Sequence, residues 1–404
     1  MPINPGTPAA MRREAWQVAI CGALVLAVAM GIGRFAFTPL LPMMLHDGVV
    51  DLNAGGWLAT ANYLGYFIGA LLGMVLRGRP TFFIKMGLSA TVLLTLGMGL
   101  SYAPALWLLV VLRTLAGIAS AMVFVFASGW CLQRLTQLHA PALGGIIYCG
   151  PGLGILLTGL PTATMVEHNW SAAQGWLLFG GLAFLLSAIV WRTFSGPSSV
   201  SGPIASSTHK LEPLQIRRQT QGLTLGYAVA GFGYIITATF LPVIARQALP
   251  HSHWPDLFWP IFGLCIALGA LLATRIPTRW DNRLLLAICY LLQAAGVLIS
   301  IALPNILGFA LGSILIGLPF TAITLFAMRD ARRLYGDHAR SLMGLLTAAY
   351  GIGQIIGPPL ATYLVKRTGS FTASLCIAAV MLLAGAGLFG AMVWRVKKPQ
   401  RAAA

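Results

Sequence analysis

Negative charge is nearly missing from this chain. Nine Asp and Glu stand against 26 Lys and Arg in 404 residues, and charged residues make up only 9%. A soluble domain carries about 25% charged residues, so a water-facing globule is excluded. The nine acids (Glu14, Asp47, Asp51, Glu167, Glu212, Asp256, Asp281, Asp330 and Asp337) fall in loops or at the ends of apolar runs, and the seven histidines lie in loops. No buried carboxylate or histidine is therefore expected for a proton relay; any proton would travel with a protonatable solute or through an edge residue such as Asp330, or the process is exchange or facilitated diffusion. The six cysteines (Cys21, Cys131, Cys149, Cys265, Cys289 and Cys376) include no CxxC pair, so neither a disulfide framework nor a metal site is indicated. No cluster of His, Asp, Glu and Cys offers an enzyme its reactive groups. The expectation is a protein without catalytic residues, cofactor or metal.

What is abundant is apolar: 58% of residues are hydrophobic and 46 are glycine, the pattern of helices packed closely in a bilayer. A span needs about 20 apolar residues, and twelve such runs are counted: 17–45, 54–76, 82–102, 105–132, 143–165, 172–193, 220–245, 257–276, 284–302, 306–328, 341–365 and 371–394. The net charge of +17 does not point to nucleic acid. All but five of the Lys and Arg fall on the side of the membrane that holds both termini; Arg246, Lys366 and Arg367 fall on the other side, and Arg34 and Arg113 within the bilayer. That bias marks the terminal side as cytoplasmic. The basic start with Arg12 and Arg13 resembles a signal peptide, but its apolar run is too long for one and reads as an uncleaved first helix.

The connection 196–219, rich in Ser, Gly and Pro, reads as a cytoplasmic linker between residues 1–195 and 220–404. The two halves echo one another. Gly31-Ile-Gly-Arg-Phe-Ala-Phe-Thr-Pro-Leu-Leu-Pro42 superposes without a gap on Gly231-Phe-Gly-Tyr-Ile-Ile-Thr-Ala-Thr-Phe-Leu-Pro242, and Gly69-Ala-Leu-Leu72 on Gly269-Ala-Leu-Leu272. Gly145, Gly152 and Gly154 meet Gly344, Gly351 and Gly353. With six spans per half, the repeat is parallel.

Twelve spans arranged as six plus six resemble the major facilitator superfamily over the whole chain. Arg113-Thr-Leu-Ala-Gly117 is similar to that superfamily's RxxxG motif, and Gly150-Pro-Gly-Leu-Gly154 to the core of its antiporter motif. More narrowly, the stretches 30–42, Ala61-Asn-Tyr-Leu-Gly-Tyr66 and 231–242 resemble the bacterial YbfB/YjiJ family. The loop after the second span departs from the superfamily's pattern, with Arg77 in place of an aspartate; Arg279-Trp-Asp-Asn-Arg283 is a partial, shifted version after the eighth. The resemblance implies an all-helical fold of two pseudo-symmetric six-helix bundles in a bacterial plasma membrane. It also implies a secondary carrier, with no particular cargo.

Arg34 leads the candidate residues. An arginine deep in an apolar span is costly and normally faces a cavity or partner; its guanidinium fork suits a carboxylate or phosphate. The plain alternative is bonding to backbone carbonyls beside Gly31 and Gly33. Arg113 is read either as part of substrate or proton coupling, which the motif implies, or as a structural charge. Asn62 and Tyr66 share one helix face, Tyr350 and Gln354 share another with Thr347, and Tyr234 and Thr237 sit opposite Arg34 by pseudo-symmetry. Each of these could line a substrate path or serve as hydrogen-bond glue between helices. Trp57 and Trp170 read as interfacial belt residues. Gly150, Pro151, Gly154, Gly351, Gly353 and Pro358 interrupt the fifth and eleventh spans, where bending and sliding would let the halves rock.

The sequence is thus read as a monomeric alternating-access transporter for a small organic solute, anionic, zwitterionic or neutral, with export favoured by the antiporter-like motif. A multidrug efflux carrier for lipophilic compounds is the main rival. A non-transporting membrane sensor, an integral enzyme and a channel are weaker ones.

Overall fold

Hydrocarbon offers no partner to a free backbone N–H or C=O, so long apolar runs must close their hydrogen bonds internally as helices. The computed structural model describes residues 8–100, 105–194, 214–336 and 339–401. Twelve long helices are found there: α1 (Ala9–His46), α2 (Leu52–Val75), α3 (Pro80–Leu100), α4 (Leu106–Gln137), α5 (Pro141–Glu167), α6 (Ala172–Val190), α7 (Leu214–Ala248), α8 (Pro255–Arg275), α9 (Asn282–Ala302), α10 (Ile306–Tyr335), α11 (Ala339–Thr368) and α12 (Thr372–Arg401). Polar residues start several of them. The Asp51 carboxylate accepts from Ala54 N at 2.7 Å, Ser171 and Gln174 form a reciprocal capping box, and Asn305 Oδ1 accepts from Gly308 N at 3.0 Å.

Eleven of these helices are long and apolar enough to cross a membrane by length and composition, among the described residues. Twelve were expected, and α11 is the exception. Its Tyr350, Gln354, Pro358 and Pro359 dilute its hydropathy, yet it packs along α2 and α7 like the other spans. The expected linker at 196–219 falls largely outside the described residues, and α7 already begins at Leu214.

Helices α1–α6 and α7–α12 pack by the same pattern. α2 lies on α4 as α8 lies on α10, and α3 lies on α6 as α9 lies on α12. The two sets meet where α2 crosses α11 and α5 crosses α8. At the end of the bundle near His46 the seam is closed. Thr38 donates to the Ala238 carbonyl at 3.0 Å, Tyr63 OH and Thr239 Oγ1 share a hydrogen bond at 2.8 Å, and His253 approaches Glu167 at 4.0 Å. Toward the opposite end, which holds Arg283, α2 and α11 still touch, with Met74 against Gly344. A cavity of about 240 Å³ opens there between Phe67, Leu71 and Met74 on one side and Met343, Gly344 and Thr347 on the other.

α1 is not one continuous α-helix. It is α-helical as far as Leu26, π-helical over Ala27–Phe35 and α-helical again over Phe37–His46. The widened turns end four residues before Pro39, whose ring would crowd the Phe35 carbonyl. They also coincide with Gly31, whose Cα lies against Gly154 of α5 so closely that a Cβ on either would overlap the other's backbone. π-Helical turns concentrate at functional sites, and this one carries Arg34.

One expectation fails in this region of the chain's chemistry. Asp330, placed at a span end by sequence, is fully buried. It bonds Arg283 Nε at 2.9 Å and Arg333 at 2.8 Å, and Arg283 also donates to Gln219 Oε1 at 2.7 Å. The carboxylate tolerates burial because two guanidinium groups neutralise it, Arg283 also by a hydrogen bond to Oδ2. Its location at the Arg283 end of α10 keeps it away from Arg34.

Candidate functional site

The π-helical turns of α1 present Arg34 to the seam between the two bundles. Its side chain is 3% exposed. One terminal nitrogen donates to Gln354 Oε1 of α11 at 2.8 Å, and the guanidinium carbon lies 4.1 Å from the Tyr66 ring centre and 5.0 Å from that of Tyr63. Desolvated cation–π contacts of this kind contribute about 2 kcal/mol, but they do not neutralise the charge. Arg34 Nε has no partner, and no acidic residue pairs with Arg34 among the described residues. The backbone-bonded alternative is not what is found, since the guanidinium reaches across to the other bundle.

Gln354 is the hinge of the arrangement. Its Oε1 takes the Arg34 bond while its Nε2 donates to Tyr234 OH. A single amide therefore joins Arg34 to its counterpart in the repeat. Tyr234 stacks on Tyr350 with ring centres 5.8 Å apart, Tyr350 stacks on Tyr227 at 4.7 Å, and Phe320 meets Tyr234 edge-on at 4.8 Å. Thr237, one turn along α7, is buried with its hydroxyl unpartnered.

Arg113 serves a different end. It donates to the backbone carbonyls of Gly33 at 3.4 Å and Arg34 at 3.0 Å, and its guanidinium carbon lies 4.8 Å from the Phe37 ring centre. Those carbonyls belong to the widened turns, so Arg113 supports the segment that holds Arg34. Asn62 in turn donates to the Arg113 carbonyl at 3.0 Å, leaving its own Oδ1 without a partner. Gly117, one turn on from Arg113, lets α4 approach the Asn62 carbonyl and Tyr66 N–H so closely that a Cβ would collide with them. The RxxxG spacing thus joins two packing requirements on one face of α4.

The sequence candidates therefore divide into two groups. Arg34, Tyr66, Tyr234, Tyr350 and Gln354 meet at the seam; Arg113 and Asn62 face backbone around it. Of the small residues, Gly150 and Gly154 pack α5 on α1, Gly351 lies against Phe67 of α2 across the seam, Gly353 packs α11 on α7, and the Pro358 carbonyl lies near Gly56 of α2. Pro151 is buried in the first turn after Cys149. Sequence reasoning missed Tyr63, although its spacing of three from Tyr66 puts it on the same helix face. It also missed Tyr227, whose hydroxyl donates to Thr324 at 3.0 Å.

Two pseudo-symmetric bundles with a buried polar site at their seam are the layout of a transporter, and comparison with known proteins agrees. The profile of the family described as uncharacterised MFS-type transporter YbfB matches residues 26–389. The chain belongs to this family. As a member of this MFS family it is a multi-pass membrane transporter. It is 27% identical over 364 residues to monocarboxylate transporter 13 of Rattus norvegicus, covering 82% of this chain and 78% of that one. It is 23% identical over 383 residues to the membrane sensor protein UhpC of Escherichia coli (strain K12), covering 90% and 76%. Its fold is similar to a crystal structure of the nucleoside transporter NupG, with TM-score 0.73 at 14% identity over 94% of this chain and 99% of that one.

Proposed function

We propose that this transporter carries a small organic anion or zwitterion by alternating access, and that Arg34 is the group that holds the solute's negative end. The observation that carries the reading is the state of Arg34. A buried cation is held across the seam by a neutral amide and by aromatic faces, with its Nε free. A buried charge without a counter-charge is costly, so a carboxylate that displaced Gln354 Oε1 would gain a charge-assisted, two-pronged bond. A lipophilic cation would meet the opposite electrostatics, which disfavours the multidrug reading. The name of monocarboxylate transporter 13 is in keeping with an anionic cargo.

In this account Gln354 occupies the anion's place in the empty carrier. Binding frees its amide, loosens the α11 contact with α1 and lets the bundles rock about α5, α8, α2 and α11. In this account the Lys and Arg bias puts the Arg283 end and both termini on the cytoplasmic side, and the Thr38–Ala238 and Tyr63–Thr239 contacts lie toward the outside. The antiporter-like stretch of α5 favours export.

Proteoliposomes loaded with a panel of labelled organic monocarboxylates and their uncharged amides test the reading. Flux of one or more acids, absent for the matching amides and lost in Arg34→Gln, is the expected result. Flux of amides and acids alike would overturn the anion assignment. Binding without flux in any direction would move the chain to the sensor class that UhpC represents.

A further inference from the structure

The loop between α2 and α3 carries positive charge that no acidic residue among the described residues neutralises. Arg77, Arg79 and Lys85 line an open pocket of about 460 Å³ together with Thr81, Phe82 and Phe83. No carboxylate lines it, and among the described residues the Arg77 and Arg79 side chains form no ion pair or hydrogen bond. Lys85 lies over the Trp191 ring at 5.2 Å, which orients it without cancelling its charge. The turn between the two arginines is fixed. Gly78 has φ +157°, in the range that favours glycine, and a Cβ there would meet the Phe83 ring at 2.9 Å.

The equivalent loop in the second half is built the other way. Asp281 caps α9 by accepting from Arg283 N at 2.9 Å, and Asp330 holds both Arg283 and Arg333. Arg283 there meets a carboxylate from α10, whereas no acid meets Arg77, Arg79 or Lys85 among the described residues. The charged pocket also stands where two spans leave the membrane, flanked by apolar side chains that the protein leaves uncovered: Val75 is 75% exposed and Phe82 60%. Cations beside exposed apolar surface at a membrane boundary match a ligand with an anionic head and hydrocarbon tails.

We infer that this pocket binds the phosphate headgroup of an anionic phospholipid, with Arg77, Arg79 and Lys85 on the phosphate and the acyl chains along Val75 and Phe82. The site lies away from Arg34 and is independent of what the transporter carries. Its chemistry, a phosphodiester on an arginine pair, is shared with soluble phosphates. The tails are what single out the lipid.

The test uses the purified full-length chain in neutral detergent, titrated with dioleoylphosphatidylglycerol, dioleoylphosphatidylcholine or glycerol 3-phosphate and read by native mass spectrometry. Phosphatidylglycerol should bind the wild type as a discrete adduct. Its affinity should fall about tenfold or more in Arg77→Gln/Arg79→Gln/Lys85→Gln, given the contribution of each cation near an anionic lipid. It should stay within about twofold in the charge-matched Arg217→Gln/Arg218→Gln/Arg279→Gln. Arg79→Gln alone removes an exposed, unpaired side chain and covers the case in which the triple variant fails to fold; it should weaken the adduct several-fold. Equal losses in both triple variants would reduce the effect to net charge and overturn the site. Equal binding of phosphatidylcholine would do the same, and glycerol 3-phosphate binding as tightly as the lipid would assign the pocket to a soluble phosphate.

Discussion

Arg113 donates to the backbone carbonyl of Arg34 at 3.0 Å, so one intramembrane arginine holds the peptide unit that carries the other. The two charges are not equivalent. Neither meets an acid among the described residues and both Nε atoms lack partners, but Arg113 gives its terminal nitrogens to backbone carbonyls of the widened turns while Arg34 gives one to a side chain across the seam.

Removing the supporting arginine should therefore act through the backbone. Arg113→Gln leaves the Gly33 and Arg34 carbonyls short of donors, at a cost of about 1–3 kcal/mol. Thermal melting of the purified protein should fall, and affinity for an anionic ligand should weaken because Arg34 loses its mount. An unchanged melting temperature would show that the widened turns hold without it.

Gln354 offers a sharper contrast. Gln354→Glu places a carboxylate against Arg34 and should raise thermal stability while abolishing the response to anions, since the protein then supplies its own. Gln354→Leu removes the amide from both Arg34 and Tyr234, so it should melt earlier, by about 1–3 kcal/mol of lost hydrogen bonding, yet still respond to anions. Anion binding by the Glu variant at wild-type strength would contradict the displacement account.

Close approach of α1 and α5 at Gly31 and Gly154 sets a third expectation. Gly154→Ala inserts a Cβ into the Gly31 backbone, an overpacking change worth about 1–3 kcal/mol. Transport should fall even where the protein still reaches the membrane. Gly181→Ala, where an added Cβ would meet nothing within 4 Å, is the control and should behave as wild type.

The Arg283–Asp330 pair should prove structural. Asp330→Asn leaves Arg283 buried beside a neutral partner, a loss of about 3–5 kcal/mol for a broken buried pair. Melting should drop steeply, while the remaining folded protein keeps its response to anions. Loss of that response with stability intact would give Asp330 a role in coupling.

Much of this was legible in the sequence because hydrocarbon imposes it. Span lengths follow from apolar runs, and the repeat puts residues 38 and 238 at equivalent positions, which meet at the seam as Thr38 and Ala238. Arg34 stood out because a charge in an apolar run needs a reason. The partner of that charge was less legible. Gln354 was visible as a polar residue at depth, but its contact with Arg34 spans 320 residues and depends on how α11 crosses α1. The π-helical turns were invisible, since nothing in Ala27–Phe35 distinguishes them from an α-helix without the Gly154 contact. Asp330 was misjudged because its burial comes from Arg283 on another helix, and span-end position alone says nothing of neighbours.

The central claim is that Arg34 is the seat of an anion. It is tested most directly by thermal melting of wild type and Arg34→Gln side by side, each with a panel of organic monocarboxylates and the corresponding amides. A ligand at 100 times its dissociation constant stabilises the folded state by about 2.7 kcal/mol. Stabilisation of wild type by one or more acids, by none of the amides, and its disappearance in a folded Arg34→Gln variant is the predicted result. Equal stabilisation of both proteins by the same acids would contradict it and return Arg34 to the scaffold.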